Sequence, residues 1–268
     1  MFSRSRLRVY FAADTVSAVS ERGWLRREVK CAALPVEHSE AGQAVWVPAL
    51  AALGALIDNQ GFAGSRVDIA LSSEFAHLAL VPQIQQGLTS LEMQGLAHSL
   101  FARVLGDGSA GWTVRYCAAD RSALLASATQ TPLLAALADV ARARHCTLRS
   151  VAPLWCCAIN RERQRLSRRS IWVVVAESRA VAFGLVERGQ WRGIRAKRLD
   201  LERGVCASKL IERESRILDT PTRELMYFGD ASAGEPYASD WKLEEMSTAE
   251  ARLGALPAAC QPAALAGF

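Results

Sequence analysis

Long apolar runs are missing from this sequence of 268 residues, although half of its residues are apolar in type. None of its runs approaches the ~20 residues that a helix needs to cross a bilayer. The basic start of the chain, with Arg4 and Arg6, is followed by Asp14 and Glu21 and not by the apolar stretch of a signal peptide. The sequence therefore predicts no transmembrane segment and no secretory signal.

Cysteine is too scattered to form a recognisable site. The seven cysteines are odd in number and include no Cys-x-x-Cys pair, and the adjacent Cys156 and Cys157 cannot readily bridge to each other. This distribution argues against a zinc site and against a disulfide framework. It is typical of a protein from a reducing cytosol.

Common catalytic signatures are also absent. The sequence has no Gly-x-Ser-x-Gly elbow and no Walker-type Gly-Lys-Ser/Thr loop. Gly106, Gly108 and Gly111 have the spacing Gly-x-Gly-x-x-Gly, but they follow a predicted helix and precede a predicted strand, which is the wrong order for a phosphate loop. The four histidines lack metal-ligand spacing, and we interpret His77 and His98 as structural residues. We therefore predict no metal site and no catalytic residue.

The net charge of +5 comes mainly from arginine in two groups, at residues 161–169 and 192–198. The first fits a solvated helix and a linker, and the second alternates like one exposed face of a strand. No aromatic residue is interleaved with either group, as a platform for stacking bases requires. We predict no nucleic-acid partner, and an acidic protein or an anionic membrane surface suits this charge better.

One pattern occurs twice, at residues 9–24 and 173–191. Each copy has an apolar run, a polar break, a second apolar run, then Glu-Arg-Gly and a tryptophan, Trp24 or Trp191. Runs of β-favouring residues joined by a short polar turn are typical of β-hairpins, and the third run extends each hairpin to a meander. Two meanders this far apart indicate a duplicated domain.

The segments between the meanders alternate in the same way. After the first meander (about residues 7–29), we predict helices at 47–59, 89–106, 131–143 and 153–166 and strands at 66–71, 75–81, 112–116, 123–128 and 147–151. After the second (171–199), we predict a helix at 201–216 and a strand at 225–228. This α/β pattern predicts two related subdomains, 1–166 and a shortened 167–232. For the tail, 233–268, we predict one strand near 241–243 and then disorder.

This order of elements resembles the actin-like (ribonuclease H-like) ATPase superfamily, which includes sugar kinases and heat-shock chaperone ATPases. Within it, residues 67–73 (VDIALSS), 78–82 (LALVP) and 148–153 (LRSVAP) look most like the PilM-like proteins and GspL-like cytoplasmic domains of type IV pilus and type II secretion assemblies. These motifs are strand ends and not catalytic signatures. The resemblance covers about residues 7–230 and implies two actin-like subdomains, the second shortened.

The resemblance also implies where nucleotide chemistry belongs. Catalytic members have an acidic residue and glycine-containing turns in both hairpins, for magnesium and phosphate. Here the first turn keeps Asp14 and Thr15 but has no glycine, and the second carries Arg179 where phosphates belong. The adenosine-binding segment, residues 226–230, has one glycine, Gly229. Asp14 and Thr15 are therefore the only cofactor-binding candidates, for ATP with Mg²⁺ if nucleotide binding persists, and otherwise we expect no cofactor.

The resemblance and the altered turns predict a non-catalytic scaffold or adaptor for a pilus or secretion assembly, at the cytoplasmic face of the inner membrane. Its expected partner is a membrane-anchored assembly protein, bound through a short cytoplasmic peptide beside the helix that begins after Thr89. One alternative is an actin-like ATPase or sugar-kinase-like protein that still binds ATP. A second is an unrelated α/β protein with an anionic partner.

Overall fold

The structure is a computed structural model that describes residues 5–22, 28–82, 88–106, 111–118, 123–200, 205–229, 237–246 and 256–266. Its contacts divide the chain into two compact units. The first comprises Met1–Phe75, Pro132–Arg161 and Ser247–Phe268, and the second comprises Ala76–Thr131 and Glu162–Met246. These units interleave along the chain, so they do not follow the predicted subdomain limits, which stay a prediction.

The described elements follow an α/β order. The strands are β1 (Arg6–Phe11), β2 (Thr15–Arg22), β3 (Glu28–Pro35), β4 (Arg66–Leu71), β5 (Ala76–Pro82), β6 (Trp112–Ala118), β7 (Ala123–Gln130), β8 (Thr147–Pro153), β9 (Ile171–Ala176), β10 (Ala180–Glu187), β11 (Gln190–Arg198), β12 (Glu224–Phe228) and β13 (Lys242–Met246). The helices are α1 (Val47–Asn59), α2 (Ser90–Leu105), α3 (Thr131–Ala143), α4 (Leu154–Arg161), α5 (Arg163–Leu166) and α6 (Ala207–Ile217). The predicted helix at 153–166 is thus two helices, α4 and α5.

The first unit is built on a five-stranded sheet in the order β3-β2-β1-β4-β8. β1 to β3 form an antiparallel meander, and β4 and β8 add in parallel. The helix α1 has a proline in its first turn, where the missing amide is tolerated, and buries Leu53, Leu56 and Ile57 while packing against β2 and β3. These buried residues lie on one face of the helix, as the apolar periodicity of the sequence predicts.

The second unit contains two sheets. One is five-stranded in the order β11-β10-β9-β12-β13, and its apolar core includes Ile211 of α6 together with Trp172 and Phe183. The other is three-stranded in the order β5-β7-β6 and packs against Ala97 and Phe101 of α2. The predicted capping box of α2 is confirmed by the two reciprocal hydrogen bonds between Thr89 and Glu92.

The two five-stranded sheets have the same topology, which confirms the predicted duplication. In each, a meander is followed by two strands that add in parallel beyond its first strand. β1 matches β9 and β2 matches β10 in length, so their residues correspond one to one. Phe11 corresponds to Ala176, for example, and Thr15 to Ala180.

The repeated Glu-Arg-Gly motif, however, does not occupy matched positions. Arg22 and Glu187 each end the second strand of their hairpin, so Glu21 corresponds to Val186 and not to Glu187. Gly23 and Trp24 lie outside the described residues, and the first meander continues to Pro35, beyond the predicted end at Val29. The topology is therefore duplicated, while the sequence match that suggested it is shifted by one position.

The end of the chain also differs from the prediction. β13 completes the second five-stranded sheet, and residues 256–266, here named the C-terminal segment, are ordered. The segment forms two short 3-10 turns and buries Cys260, Ala263, Ala264 and Leu265, packing against β1 and β2. The predicted disorder is wrong for this segment, because its small apolar side chains fit closely against the flat face of a sheet.

Candidate functional site

The candidate site residues Asp14 and Thr15 lie in the hairpin turn of the first five-stranded sheet, and the second sheet has a matched turn at residues 177–180. The Ala12 amide donates to the Thr15 carbonyl at 3.0 Å in the first turn. The Glu177 amide donates to the Ala180 carbonyl at 2.8 Å in the second. Since Ala12 and Glu177 correspond, the same bond closes both turns.

A second hydrogen bond ties each turn to the residue that follows its third strand. Val36 donates its amide to the Asp14 carbonyl, and Leu199 donates its amide to the Arg179 carbonyl, both at 2.9 Å. These bonds use backbone atoms and do not depend on the side chains. Asp14 and Arg179 are therefore equivalent positions with opposite charge.

The first turn holds both predicted site residues, but it does not present them as a phosphate cradle. The Thr15 hydroxyl donates to the Leu34 carbonyl at 3.3 Å, so it already has an acceptor within the sheet. Asp14 is half-buried, with its Oδ1 inaccessible to solvent. The neighbouring Ala12 and Ala13 are buried and carry methyl groups where a cradle needs bare backbone amides.

The residues that follow β4 and β12, next to the two turns, differ between the sheets. Ser72, which follows β4, donates its amide to the Phe11 carbonyl at 2.9 Å. Gly229, which follows β12, has φ of +124°, and a Cβ placed there lies 2.5 Å from the Ala176 carbonyl oxygen. Close backbone approach therefore explains this glycine without a ligand, while Asp230 lies outside the described residues. Neither sheet, taken by itself, therefore offers the glycine-containing hairpin turn that a nucleotide with Mg²⁺ needs.

Metal ligands and histidines add no second site. Within the described ranges, no group of three or more His, Cys, Asp or Glu side chains could hold a metal ion. His77 packs against Trp112 in a tilted arrangement, with ring centroids 4.9 Å apart. Burial, and then the nearby positive charge of Arg198, lower the pKa of His77, so this ring is neutral at pH 7. Its environment is that of a packing residue.

Two arginines of the first group, Arg165 and Arg169, are held in ion pairs, which the sequence-based interpretation as a solvated helix and linker missed. Arg169 contacts Glu224 at 3.0 Å and Glu244 at 2.8 Å, and Arg165 contacts Glu162 and Glu244. Hydrogen bonds from Arg169 lower the pKa of both Glu224 and Glu244. The acidic stretch near residue 244 was the available signal, because it supplies the opposite charge.

An open cavity of about 650 Å³ lies in the second unit. Its lining includes Arg188 and Gln190 at the β10–β11 turn and Glu224 at the start of β12, which is the end of the sheet away from the 177–180 turn. Two other lining arginines already pair with carboxylates, Arg192 with Glu187 and Arg223 with Asp240. The cavity therefore lies away from the 177–180 turn, and carboxylates compensate the positive charge of two of its arginines.

The predicted docking region lies in the second unit, on α2 and the three-stranded sheet. Leu91 and Val104 of α2 are exposed at 78% and 68%, respectively. Met93 and Leu100 are half-buried at the edge of the α2 core. Among the described strands β6 pairs only with β7, so its other edge is open to a further strand. Since α2 and β6 are in contact, the helix and the open strand edge are neighbours, here named the α2–β6 surface.

No described helix has both the length and the apolar character needed to cross a membrane. No protein-family model and no curated protein matches the chain. Solved structures do match it. The type IV pilus biogenesis complex of PilM and PilN aligns with a TM-score of 0.63 at 14% identity, covering 90% of this chain and 88% of the other.

Two further structures align over similar lengths. A Bacteroides thetaiotaomicron protein of unknown function with an actin-like ATPase fold aligns with a TM-score of 0.59 at 13% identity, covering 86% of this chain and 84% of the other. The cytoplasmic domain of EpsL, an inner-membrane component of the type II secretion system of Vibrio cholerae, gives 0.56 at 13% identity and 90% coverage of both chains. With the duplicated sheet topology, these likenesses establish that the chain has the actin-like ATPase fold.

Proposed function

We propose that this chain is a non-catalytic actin-like adaptor of a type IV pilus or type II secretion assembly, at the cytoplasmic face of the inner membrane. The observation that carries the proposal is the pair of matched turns. Neither turn contains glycine, and their equivalent positions carry opposite charges, Asp14 in the first turn and Arg179 in the second. The likeness to PilM and to the EpsL domain supports the choice of assembly.

The non-catalytic part rests on what phosphoryl transfer needs. Backbone donors and a metal must neutralise the charge that develops on the transferred phosphate. The first turn offers buried alanines and a Thr15 hydroxyl that is bonded within the sheet. The second offers Glu177, whose carboxylate repels phosphate, and the exposed Arg179, whose guanidinium attracts phosphate but does not replace the backbone donors of a glycine turn.

The direct test is to titrate the purified chain with ATP and Mg²⁺ and to measure steady-state phosphate release. We expect release at the level of a control that carries Asp14→Ala. Release well above that control contradicts the proposal. Asp14 remains at its turn, which favours one alternative, an actin-like protein that binds ATP without hydrolysing it. Saturable binding that Asp14→Ala abolishes, without phosphate release, supports that alternative.

The partner we propose is a membrane-anchored assembly protein that presents a short cytoplasmic peptide to the α2–β6 surface. A peptide of ~10 residues can add a strand at an open edge or seat apolar side chains in a groove. The surface offers both features, through the free edge of β6 and the exposed Leu91. The net charge of +5 favours an acidic peptide, so association weakens as salt rises.

The partner is tested by co-purification from the source cells at low and high salt. We expect an inner-membrane assembly component with the native chain and a loss of it with Leu91→Glu. The control is Ile217→Glu, which charges another exposed apolar residue, 59% exposed, on α6. Equal loss in both variants, or recovery of nucleic acid or metabolic enzymes instead, contradicts the assignment.

A further inference from the structure

Two cysteine thiols meet in the first unit, where the C-terminal segment packs on the sheet. Cys31 lies in the edge strand β3 and is exposed, whereas Cys260 lies in the first 3-10 turn and is buried. The two thiols lie close enough to interact, since the neighbouring Cys31 contributes to the raised pKa of Cys260. The turn that carries Cys260 packs against β2 and β3, so the contact belongs to a defined packing arrangement.

The register of the sheet explains why these two residues meet. Arg8 of β1 lies opposite Val19 of β2, and Val19 lies opposite Cys31 of β3, so the three residues form one row across the sheet. The C-terminal segment contacts both ends of this row. The Ala264 carbonyl accepts from Nη1 of Arg8 at 2.7 Å, and Cys260 meets Cys31. Neighbouring strands are ~4.8 Å apart, so the segment spans about two strand spacings.

We propose that Cys31 and Cys260 form a thiol–disulfide exchange site, which small disulfides such as glutathione disulfide convert to an intramolecular bond that fastens the C-terminal segment to β3. The thiolate of Cys31 attacks one sulfur of glutathione disulfide and displaces the first glutathione. Cys260 then gives its proton to solvent and attacks the Cys31 sulfur, displacing the second glutathione. Two protein thiols are oxidised, and one glutathione disulfide is reduced to two glutathione molecules.

The environments of the two thiols set the order of these steps. Burial, and then the neighbouring Cys31, raise the pKa of Cys260 to about 11. Cys260 is therefore a neutral thiol at pH 7 and is shielded from large reagents. Cys31 is exposed and meets the small disulfide first, and Cys260 acts as the resolving thiol from its position alongside.

The test uses the native full-length chain, incubated with glutathione disulfide, alkylated and digested with trypsin without reductant. The last basic residue is Arg252, so Cys260 is released in peptide 253–268, and Cys31 is the only cysteine in peptide 31–66. We expect these two peptides to be linked, with the loss of two hydrogen atoms. The link should disappear after reduction and be largely lost when oxidation is done in urea, since it depends on the folded contact.

Three variants complete the experiment. Cys260→Ser should leave glutathione on Cys31, because the resolving thiol is gone, and Cys31→Ser should give neither the adduct at that position nor the link. Cys117→Ser removes another exposed cysteine, in β6, and should keep the link in full. A native chain that carries stable glutathione on Cys31 without linkage to peptide 253–268 overturns the proposal.

Discussion

The two five-stranded sheets differ in chemistry at a matched pair of buried positions. In the first sheet Nη2 of Arg8 lies 3.1 Å from Oε1 of Glu21, with side-chain exposures of 0% and 5%. The corresponding residues of the second sheet are Val173 and Val186, which are equally buried. The same topology is therefore built once around an ion pair and once around two apolar side chains.

The C-terminal segment explains why the first sheet keeps charge at this place. A buried ion pair needs further hydrogen bonds to offset the loss of water, and replacing such a pair with apolar residues is often neutral or stabilising. In the first sheet the Ala264 carbonyl supplies one of these bonds to Arg8. The charged pair thus marks where the segment docks. We therefore expect the pair to add specificity for docking of that segment more than stability of the sheet.

We expect the greatest loss of stability when one member of the Arg8–Glu21 pair is replaced and the other stays buried. Arg8→Val leaves the Glu21 carboxylate buried without its partner, which should lower the free energy of unfolding by about 3–5 kcal/mol. Glu21→Val should cost a similar amount by leaving Arg8 uncompensated. Chemical denaturation of the purified chain, followed by circular dichroism, measures both.

The double variant Arg8→Val with Glu21→Val has the same two residues as the second sheet, where Val173 and Val186 occupy these positions. We expect it to be more stable than either single variant and to lose only about 1–2 kcal/mol, because the Ala264 carbonyl loses its donor. Arg142→Ala, which removes an exposed pair with Asp139, is the control and should change stability by less than about 1 kcal/mol. Additive losses in the double variant would show that the two residues do not act as a pair.

Local signals made much of this fold predictable. Alternating β-favouring residues with polar breaks located the meanders, and apolar periodicity located α1 and α2 with their first turns. Asp14 and Thr15 lie in the turn where the sequence places them. The bonds that define that turn join it to Leu34 and Val36, at the end of β3 and just beyond it, and so depend on the sheet.

Contacts between distant parts of the chain were not predictable in this way. The C-terminal segment was expected to be disordered because Ala and Pro are typical of flexible tails, yet its anchor is Arg8, near the other end of the chain. The shift in the Glu-Arg-Gly motif has a similar cause, since strand register follows the bonds that close each turn and not the similarity of letters. Arg169 was assigned to solvent because its partner Glu244 is distant in sequence.

A smaller effect is expected at the strand end beside the second turn. Gly229→Ala places a Cβ against the Ala176 carbonyl at a φ that side chains avoid, and should cost about 1–3 kcal/mol. The matched control is Gly95→Ala in α2, where a Cβ meets nothing within 4 Å and alanine favours the helix. Thermal unfolding compares the two variants. Equal stability of both would mean that the backbones of β9 and β12 do not approach each other this closely.

The smallest effect concerns β13, the outer strand that Arg169 and Glu244 hold beside β12. The hydrogen bond from Arg169 lowers the pKa of Glu244 in the folded state. The ion pair therefore stabilises the folded state fully at pH values above the ordinary glutamate pKa of about 4.3. This stabilisation is lost as the pH falls through the lower pKa of the folded state. Glu244→Gln should therefore cost up to about 1 kcal/mol at pH 7, because the side chain is one-third exposed, and nearly nothing at pH 2–3. Glu245→Gln, at the next and exposed position, is the control. Urea denaturation at both pH values compares the stabilities of the two variants. If the difference between them persists in acid, it does not come from the carboxylate of Glu244.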